Sequence, residues 1–508
     1  MIELFSLLNG LHQEEIKTIK GSFKKVNADA ESLFMAELFS IILSENGKFI
    51  QDKELSVMVY GQEKLLAIAK LKSRLFQFVL EVLSSDAVLS KEQLFDHSDY
   101  QVVRIRKKIV QFRVLYRKKY KVETSVMYHL LSEIIKEAKE YELYDVLVEA
   151  LNFKKIMTVI RKGFSEIAAI EKQIDLYHYA YKALLKTNSY YFELVASQDL
   201  AHRAKTKTDQ TDHVREFLRE GIAEMKEYVD VTGSASIRYT QKFFQLDELL
   251  RNNKHDSGID ICLDILNILK KHKHLYRKER VGFVYDNISL CHVYKGNVDD
   301  SIVSAQKAQE YYSPGSFNFM ISKEQEFSAC FYGSSYNKAL SIITELLKYP
   351  IMNMGEFRHD KYLFFEAATL FKLGNPRRAL AISNQTLEIN KDKSRWDLGI
   401  RYLRLMCMIE LMDYDQAYSA IEALRKTMSR NNKQMAYRDE IVYKAFNEFA
   451  STGFSASPTN RLLELLQDLS STESLNAWNY YTHEVIPVHK WIESKIISKK
   501  NTPSYVVI

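Results

Sequence analysis

No proline occurs before Pro314 in this chain of 508 residues, and only six occur in all. A proline ring removes a backbone donor and clashes with the preceding turn, so it interrupts helices more sharply than any other residue. Glycine, which weakens helix interiors, is also scarce at 16 residues, against ordinary frequencies of about 5% for proline and about 7% for glycine. Such scarcity predicts an all-α chain of long helices joined by short connections. The 31 Tyr and 27 Phe are far too many for a disordered polypeptide.

Charge excludes little. The 71 basic and 65 acidic residues leave a net charge of +6 on a densely charged surface. Apolar runs such as Leu65 to Ala69 are bounded by charge and too short to span a bilayer, and no N-terminal stretch has the order of a signal peptide. Cys262, Cys291, Cys330 and Cys407 lie far apart, as expected of reduced, buried cysteines in a cytoplasmic protein. No membrane partner is expected.

A repeated outline organises the second half. In KLGNPRRALAISN (Lys372 to Asn384) a Gly-Asn-Pro turn separates two apolar helical faces, one marked by Leu363, Ala367 and Leu370 and the other by Ala379, Ile382, Thr386 and Ile389. The outline recurs around Gly296 (Tyr285, Ile288, Ser301, Ala305, Ala308), around Ser334 (Phe327, Tyr336, Ala339, Ile343) and around Met412 (Leu405, Met408, Tyr414, Ala417, Ile421, Leu424). The small residue opening the second helix stands at Ser301, Ala339, Ala379 and Ala417, in steps of 38, 40 and 38, with Gly258 in a fainter copy. Gly or Asn permits the backbone that ends a helix, Pro presets the next, and a small side chain lets the two helices approach.

This pattern resembles the tetratricopeptide repeat. Gly296 and Gly374 occupy that family's inter-helix turn, and Tyr336 and Tyr414 its following aromatic position. Ser334 and Met412 depart from the glycine, Val298 and Pro376 from the aromatic, and the period exceeds the usual 34 residues. The resemblance implies a right-handed superhelical solenoid of antiparallel helix hairpins. Leu7-Leu8-Asn9-Gly10 with Glu14-Glu15, and Ala138 to Leu143 followed by Leu147, also resemble an uncharacterised family of bacterial repeat proteins of similar length. The expected organisation is an N-terminal helical region (1–100), divergent hairpins (101–240), repeats (241–430), C-terminal capping helices (431–498) and a flexible tail (499–508). Candidate breaks are 44–47, 84–86, 205–213 and 231–236.

Chemistry is hard to find. Phosphate loops of the type GxxxxGKS/T or GxGxxG are missing, as is a GxSxG elbow. His483-Glu484 with His489 looks like a zinc motif, yet the second histidine is two residues late and Pro487 intervenes. His213 with Glu216 lacks a second metal-binding pair, and His272 and His274 project to different faces. No catalytic residue, metal or cofactor is expected, and the chain is read as a non-enzyme.

Two surfaces are candidates for binding. RIRKKIVQFRVLYRKKYK, Arg104 to Lys121, carries a stripe of Ile105, Ile109, Phe112 and Tyr116 among basic residues. Arg104, Lys107, Lys108, Arg113, Arg117 and Lys118 would contact phosphates of a polyanion, or simply be solvated beside acids such as Glu133 and Glu137. Residues 1 to 60, with six Lys against nine acids, oppose an N-terminal DNA reader. The second surface follows from the resemblance, in which partner peptides lie on a concave face lined by the first helix of each hairpin. That face would present Phe283, Asp286, Asn287, Tyr294, Phe331, Lys361, Phe364, Phe371, Tyr402 and Met406. Leu290, Ser328, Ala368 and Met406 stand where a subset of the family has the Asn of a carboxylate clamp, so an apolar-anchored peptide or helix is the expected partner. The expected function is a scaffold or adaptor for a protein or peptide, with a peptide-responsive regulator and a nucleic-acid-associated protein as alternatives.

Overall fold

The computed structural model describes residues 2–25, 30–45, 49–91, 96–118, 123–162, 166–203, 208–350, 354–386, 396–430, 437–455, 457–471 and 478–500. Parts of the candidate breaks at 44–47 and 205–213, Ile389, residues 119–121 of the basic run, the His213 side chain and most of the 499–508 tail lie outside the described residues. Among the described residues every regular element is a helix, as proline scarcity predicts. The chain divides into two compact units, residues 1–178 and 179–508.

In the first unit α1 (Ile2–Asn9), α2 (Gln13–Lys25), α3 (Ala30–Ser44), α4 (Asp52–Tyr60) and α5 (Leu65–Leu83) enclose a core of Leu4, Leu38, Phe39, Leu55, Ile68 and Leu75. The short α6 (Asp86–Leu89) leads to α7 (His97–Arg117), α8 (Thr124–Glu140) and α9 (Tyr144–Lys162). The α7 stripe faces inward: Ile105, Ile109 and Phe112 are buried, and the Phe112 and Tyr116 rings each lie 5.1 Å from Phe153.

Among the described residues seven helix pairs follow. They are α10 (Ile167–Arg203) with α11 (Thr208–Thr232), α12 (Ala235–Arg251) with α13 (His255–Lys271), and α14 (Lys278–Lys295) with α15 (Val298–Gln309). Next come α16 (Phe317–Tyr332) with α17 (Tyr336–Leu346), and α18 (Glu356–Lys372) with α19 (Pro376–Ser383). The last are α20 (Trp396–Glu410) with α21 (Tyr414–Arg430), and α22 (Tyr437–Ser451) with α23 (Asn460–Ser470), before the terminal α24 (Val488–Lys500). The division between the units falls inside α10. From Met320 to Ile496 one continuous apolar core joins successive pairs, each covering the face its predecessor leaves open.

Among the described residues one turn recurs six times. Glu142, Asn253, Gly296, Ser334, Gly374 and Met412 each adopt a left-handed backbone, with φ between 51° and 79°. The next residue's N–H then donates to the carbonyl five positions back: Leu143 to Ala138, Lys254 to Leu249, Asn297 to His292, Ser335 to Cys330, Asn375 to Leu370 and Asp413 to Met408, all within 2.8–3.0 Å. This bond closes the first helix by satisfying one of its orphan carbonyls. The second helix starts two residues after the left-handed one, at Tyr144, His255, Val298, Tyr336, Pro376 and Tyr414. Five residues after it stand Leu147, Gly258, Ser301, Ala339, Ala379 and Ala417, all buried. A Cβ on Gly258 would sit 3.2 Å from Cys291 Sγ, and the Ser301 and Ser289 hydroxyls meet at 2.9 Å, which shows how closely the helices approach. Ser334 and Met412 thus take the turn position itself, and the motif extends to Glu142 in the first unit.

These positions differ in what they tolerate. Ala379 has no exposed surface, so Ala379→Arg, which overpacks the hairpin and buries a charge, should cost at least ~3 kcal/mol. Met412 is 75% exposed and strained only by its backbone, so Met412→Gly should stabilise the fold by ~1 kcal/mol. Urea denaturation of the two variants checks both. An unchanged midpoint for Ala379→Arg would contradict the hairpin register.

Candidate partner-binding face

The first helices of the pairs in the second unit present one face, and the structure shows what lies on it. After α23 the chain returns as a non-helical segment, Trp478 to Pro487, which touches α14, α16, α18, α20 and α22. The Tyr294 hydroxyl donates to Asn479 Oδ1 at 2.6 Å, and the Tyr332 hydroxyl donates to the Tyr480 carbonyl at 2.8 Å. The Tyr481 hydroxyl pairs with Gln325. Tyr480 meets Tyr294 and Tyr332 edge-on, with ring centroids 5.3 and 4.9 Å away, and Trp478 lies 5.3 Å from Tyr332.

Further along, the segment is embedded. Val485 and Ile486 are buried over Phe364, Ala368, Leu403 and Met406. Gly399 makes this approach possible, because a Cβ there would lie 2.0 Å from the His483 carbonyl oxygen. His483 Nε2 sits 2.7 Å from Asp439 Oδ1. Arg438 forks onto Glu484 with donors at 2.6 and 3.0 Å and also reaches His489 Nδ1 at 3.3 Å. Both members of the Arg438–Glu484 pair are largely withdrawn from water, and a bidentate pair there fixes geometry more firmly than a surface ion pair would. His483, Glu484 and His489, which looked like a zinc motif in sequence, therefore serve an Arg-Asp-centred lock. Among the described residues no group of three or more His, Cys, Asp or Glu could hold a metal.

The residues expected on the face fall into two sets. Phe283 is 41% exposed, Asn287 is half-buried with its amide donating to the Phe283 carbonyl at 2.8 Å, and Tyr294 is half-buried beneath Asn479. Lys361 is half-buried, paired with Glu324 and 4.8 Å above the Trp396 ring. Asp286, Phe331, Phe364, Phe371, Tyr402 and Met406 are all buried and offer no open surface. Asp286 turns inward to accept from the Tyr312 hydroxyl at 2.9 Å, and burial pushes its carboxyl up to about 7. Phe364, Tyr402 and Met406 do converge, but beneath the chain's own segment. Truncating Phe364 and Tyr402, which the repeat pattern makes appear harmless to the fold, would therefore cost ~3–5 kcal/mol each.

Sequence reasoning missed the open part of the face. Phe192 and Tyr191 on α10, Phe243 on α12 and Phe283 on α14 form a ladder in that order, with successive centroid distances of 5.8, 5.9 and 5.6 Å. Phe192 is 67% and Tyr191 41% exposed. Their i-to-i+1 and cross-hairpin spacing carries no one-dimensional signature. On α7, by contrast, the cations are engaged. Arg104 and Lys108 meet Glu137, Lys107 meets Asp86, Arg106 meets Asp145 and Arg113 meets Glu149. Arg117 and Lys118 close the helix at its C-terminal end.

No family model matches the chain, and no curated protein matches it. Among solved structures, it is similar to the crystal structure of a signal transduction ATPase with numerous domains (STAND) protein with a tetratricopeptide repeat sensor from Pyrococcus horikoshii. The identity is 13% and the TM-score 0.37, over 84% of this chain and 66% of that one. The chain thus spans just under two thirds of that structure's length. Its class, an all-helical tetratricopeptide-like hairpin repeat, is defined by its own six turns. Among the described residues no helix is long and apolar enough to cross a membrane.

Two outcomes follow from the lock. Gly399→Ala should drive the segment off its seat and lower the melting temperature by several degrees, about 3 kcal/mol or more; an unchanged melt would contradict the close approach. Burial, and then the Arg438 guanidinium, hold His489 down at about 4, against an unfolded value of about 6.5. The stability this gives the neutral imidazole is complete above the unfolded value and is lost as pH falls towards the folded one. Wild type should therefore lose about 2 kcal/mol more than His489→Gln between pH 7 and pH 5, measured by urea denaturation. Parallel pH profiles would contradict it.

Proposed function

We propose that the chain is a non-catalytic interaction protein, a scaffold or adaptor, that holds a partner peptide on the face built by the first helices of its hairpins. The carrying observation is that this face already accommodates a non-helical peptide segment at one end, Trp478 to Pro487, and continues at the other as a ladder in which Phe192, Tyr191 and Phe283 are exposed and the half-buried Phe243 joins them. Exposed aromatic rings clustered at one place on a surface are what binding hot spots are made of. Arg280 stacks 4.9 Å over Tyr239 beside the ladder, adding a cation at its margin. Cys262, Cys291, Cys330 and Cys407 are unpaired and buried, which supports a reducing compartment such as the cytoplasm. The pairing of α7 cations with carboxylates on neighbouring helices favours this reading over nucleic-acid binding, because a phosphate would have to displace those acids.

Panning the purified chain against a displayed library of random 12-residue peptides tests the proposal. Enriched peptides should be aromatic-rich, and Phe192→Ala with Phe283→Ala, at exposed positions, should weaken them at least ~10-fold while leaving melting nearly unchanged. Equal binding to the double variant would remove the ladder from the function.

A further inference from the structure

The segment on the face consists of two parts with different attachments. From His483 to Val488 it is anchored by Asp439, by the Arg438 fork and by the burial of Glu484, Val485, Ile486 and Val488. From Trp478 to Thr482 it remains half-exposed or exposed throughout. This leading arm touches the face through side-chain groups: the hydroxyls of Tyr294 and Tyr332, the amide of Gln325 and ring edges. It also folds on itself. Asn479 Oδ1 accepts from the Tyr481 N–H at 3.1 Å as well as from Tyr294, and the Thr482 hydroxyl donates to the Asn479 carbonyl at 3.0 Å. Beyond Tyr294, the same helix carries Asn287 and Phe283 towards the open ladder.

We propose that the arm Trp478–Thr482 is an intramolecular stand-in, and that a partner's non-helical peptide with adjacent aromatic residues beside an Asn binds α14 and α16 by displacing it. This rests on the reading of the face as a peptide site and names the partner's chemistry and the competitor that regulates it. The chemistry is taken from the occupant itself: two phenolic hydroxyls of the face that donate to an amide oxygen and a main-chain carbonyl, and a Tyr edge that accepts an aromatic ring on each side. Because the arm is tethered at His483, its effective concentration on the site is of millimolar order. A free peptide whose intrinsic dissociation constant is about 100 μM must compete with that tether and binds roughly tenfold more weakly than to an arm-free face.

The probe is a fluorescein-labelled peptide copying residues 476–483, followed by anisotropy on the full-length chain. Replacing Tyr480 and Tyr481 together by Gly removes the rings the arm lays on Tyr294 and Tyr332 and the hydroxyl on Gln325, and keeps Trp478, whose Nε1 donates to the Glu484 carbonyl of the anchor at 2.8 Å. The variant should bind the probe at least ~10-fold more tightly than wild type. Equal affinities, or no saturable binding to a variant that retains wild-type helicity and melting, would overturn the proposal. Hydrogen exchange on wild type gives an answer independent of that variant. At about 1 mM unlabelled peptide, amides of 478–482 should exchange faster while those of 488–496 stay protected; unchanged exchange of the arm would overturn it. Retained enrichment of aromatic library peptides with failure of the arm tests would leave the face as a binding site and the arm as a structural element only. Loss of both would remove the face as well.

Discussion

Everything in the repeat region depends on a left-handed residue followed, five positions on, by a residue buried where two helices cross. The first ends one helix with a bond from the next residue's N–H to a carbonyl five back; the second sets how near the returning helix can come. Because both are counted from the same residue, the turn fixes the hairpin's register as well as its sharpness. Glu142, Asn253, Ser334 and Met412 adopt this backbone without being glycine. They accept roughly 1 kcal/mol of local strain each in a structure whose packing over-determines them.

Stacking hairpins in one register places their first helices side by side, and this creates a face before any particular side chain is chosen. What the chain then puts on that face is uneven. Around Gly399 it is closed by the chain's own backbone, with the Arg438–Glu484 fork and the Asp439–His483 contact holding the segment. Around Phe192, Tyr191 and Phe283 it carries exposed rings. Between them, Tyr294 and Tyr332 hold the leading arm through an Asn side-chain oxygen, a main-chain carbonyl and ring edges.

The hairpins were legible because their determinants are local. The step from Gly374 to Ala379 and its copies lies within one turn and the helix after it, so a single sequence displays it. The same reading placed Tyr336 and Tyr414 at the start of second helices, where the structure has them. The face was legible only as a list of helix positions. Phe364, Tyr402 and Met406 have the right spacing, yet their exposure is decided by Val485 and Ile486, which no periodicity connects to them. The sequence pattern runs capping helices through Trp478 to Trp491, with Pro487 as an interruption, whereas the structure has Trp478 to Pro487 as a non-helical segment held by contacts remote in sequence. Gly399 likewise sits unremarked inside an apolar helix until the His483 carbonyl is placed against it. Of the carboxylates that meet the basic residues of α7, Glu133 and Glu137 on α8 were legible as neighbours in sequence, whereas Asp86 on α6 and Asp145 and Glu149 on α9 were not.

The proposed role requires that partners meet the chain on the face of the first helices and not elsewhere on the hairpins. Site-specific photocrosslinking in living cells addresses it directly. A benzophenone side chain replacing Phe283, on α14 and 41% exposed, is compared with one replacing Val303, which is more exposed at 64% and lies on the second helix of the same pair. The account predicts a discrete covalent adduct with another polypeptide from position 283 and none from position 303. Adducts of equal yield from both positions, or from 303 alone, would contradict it.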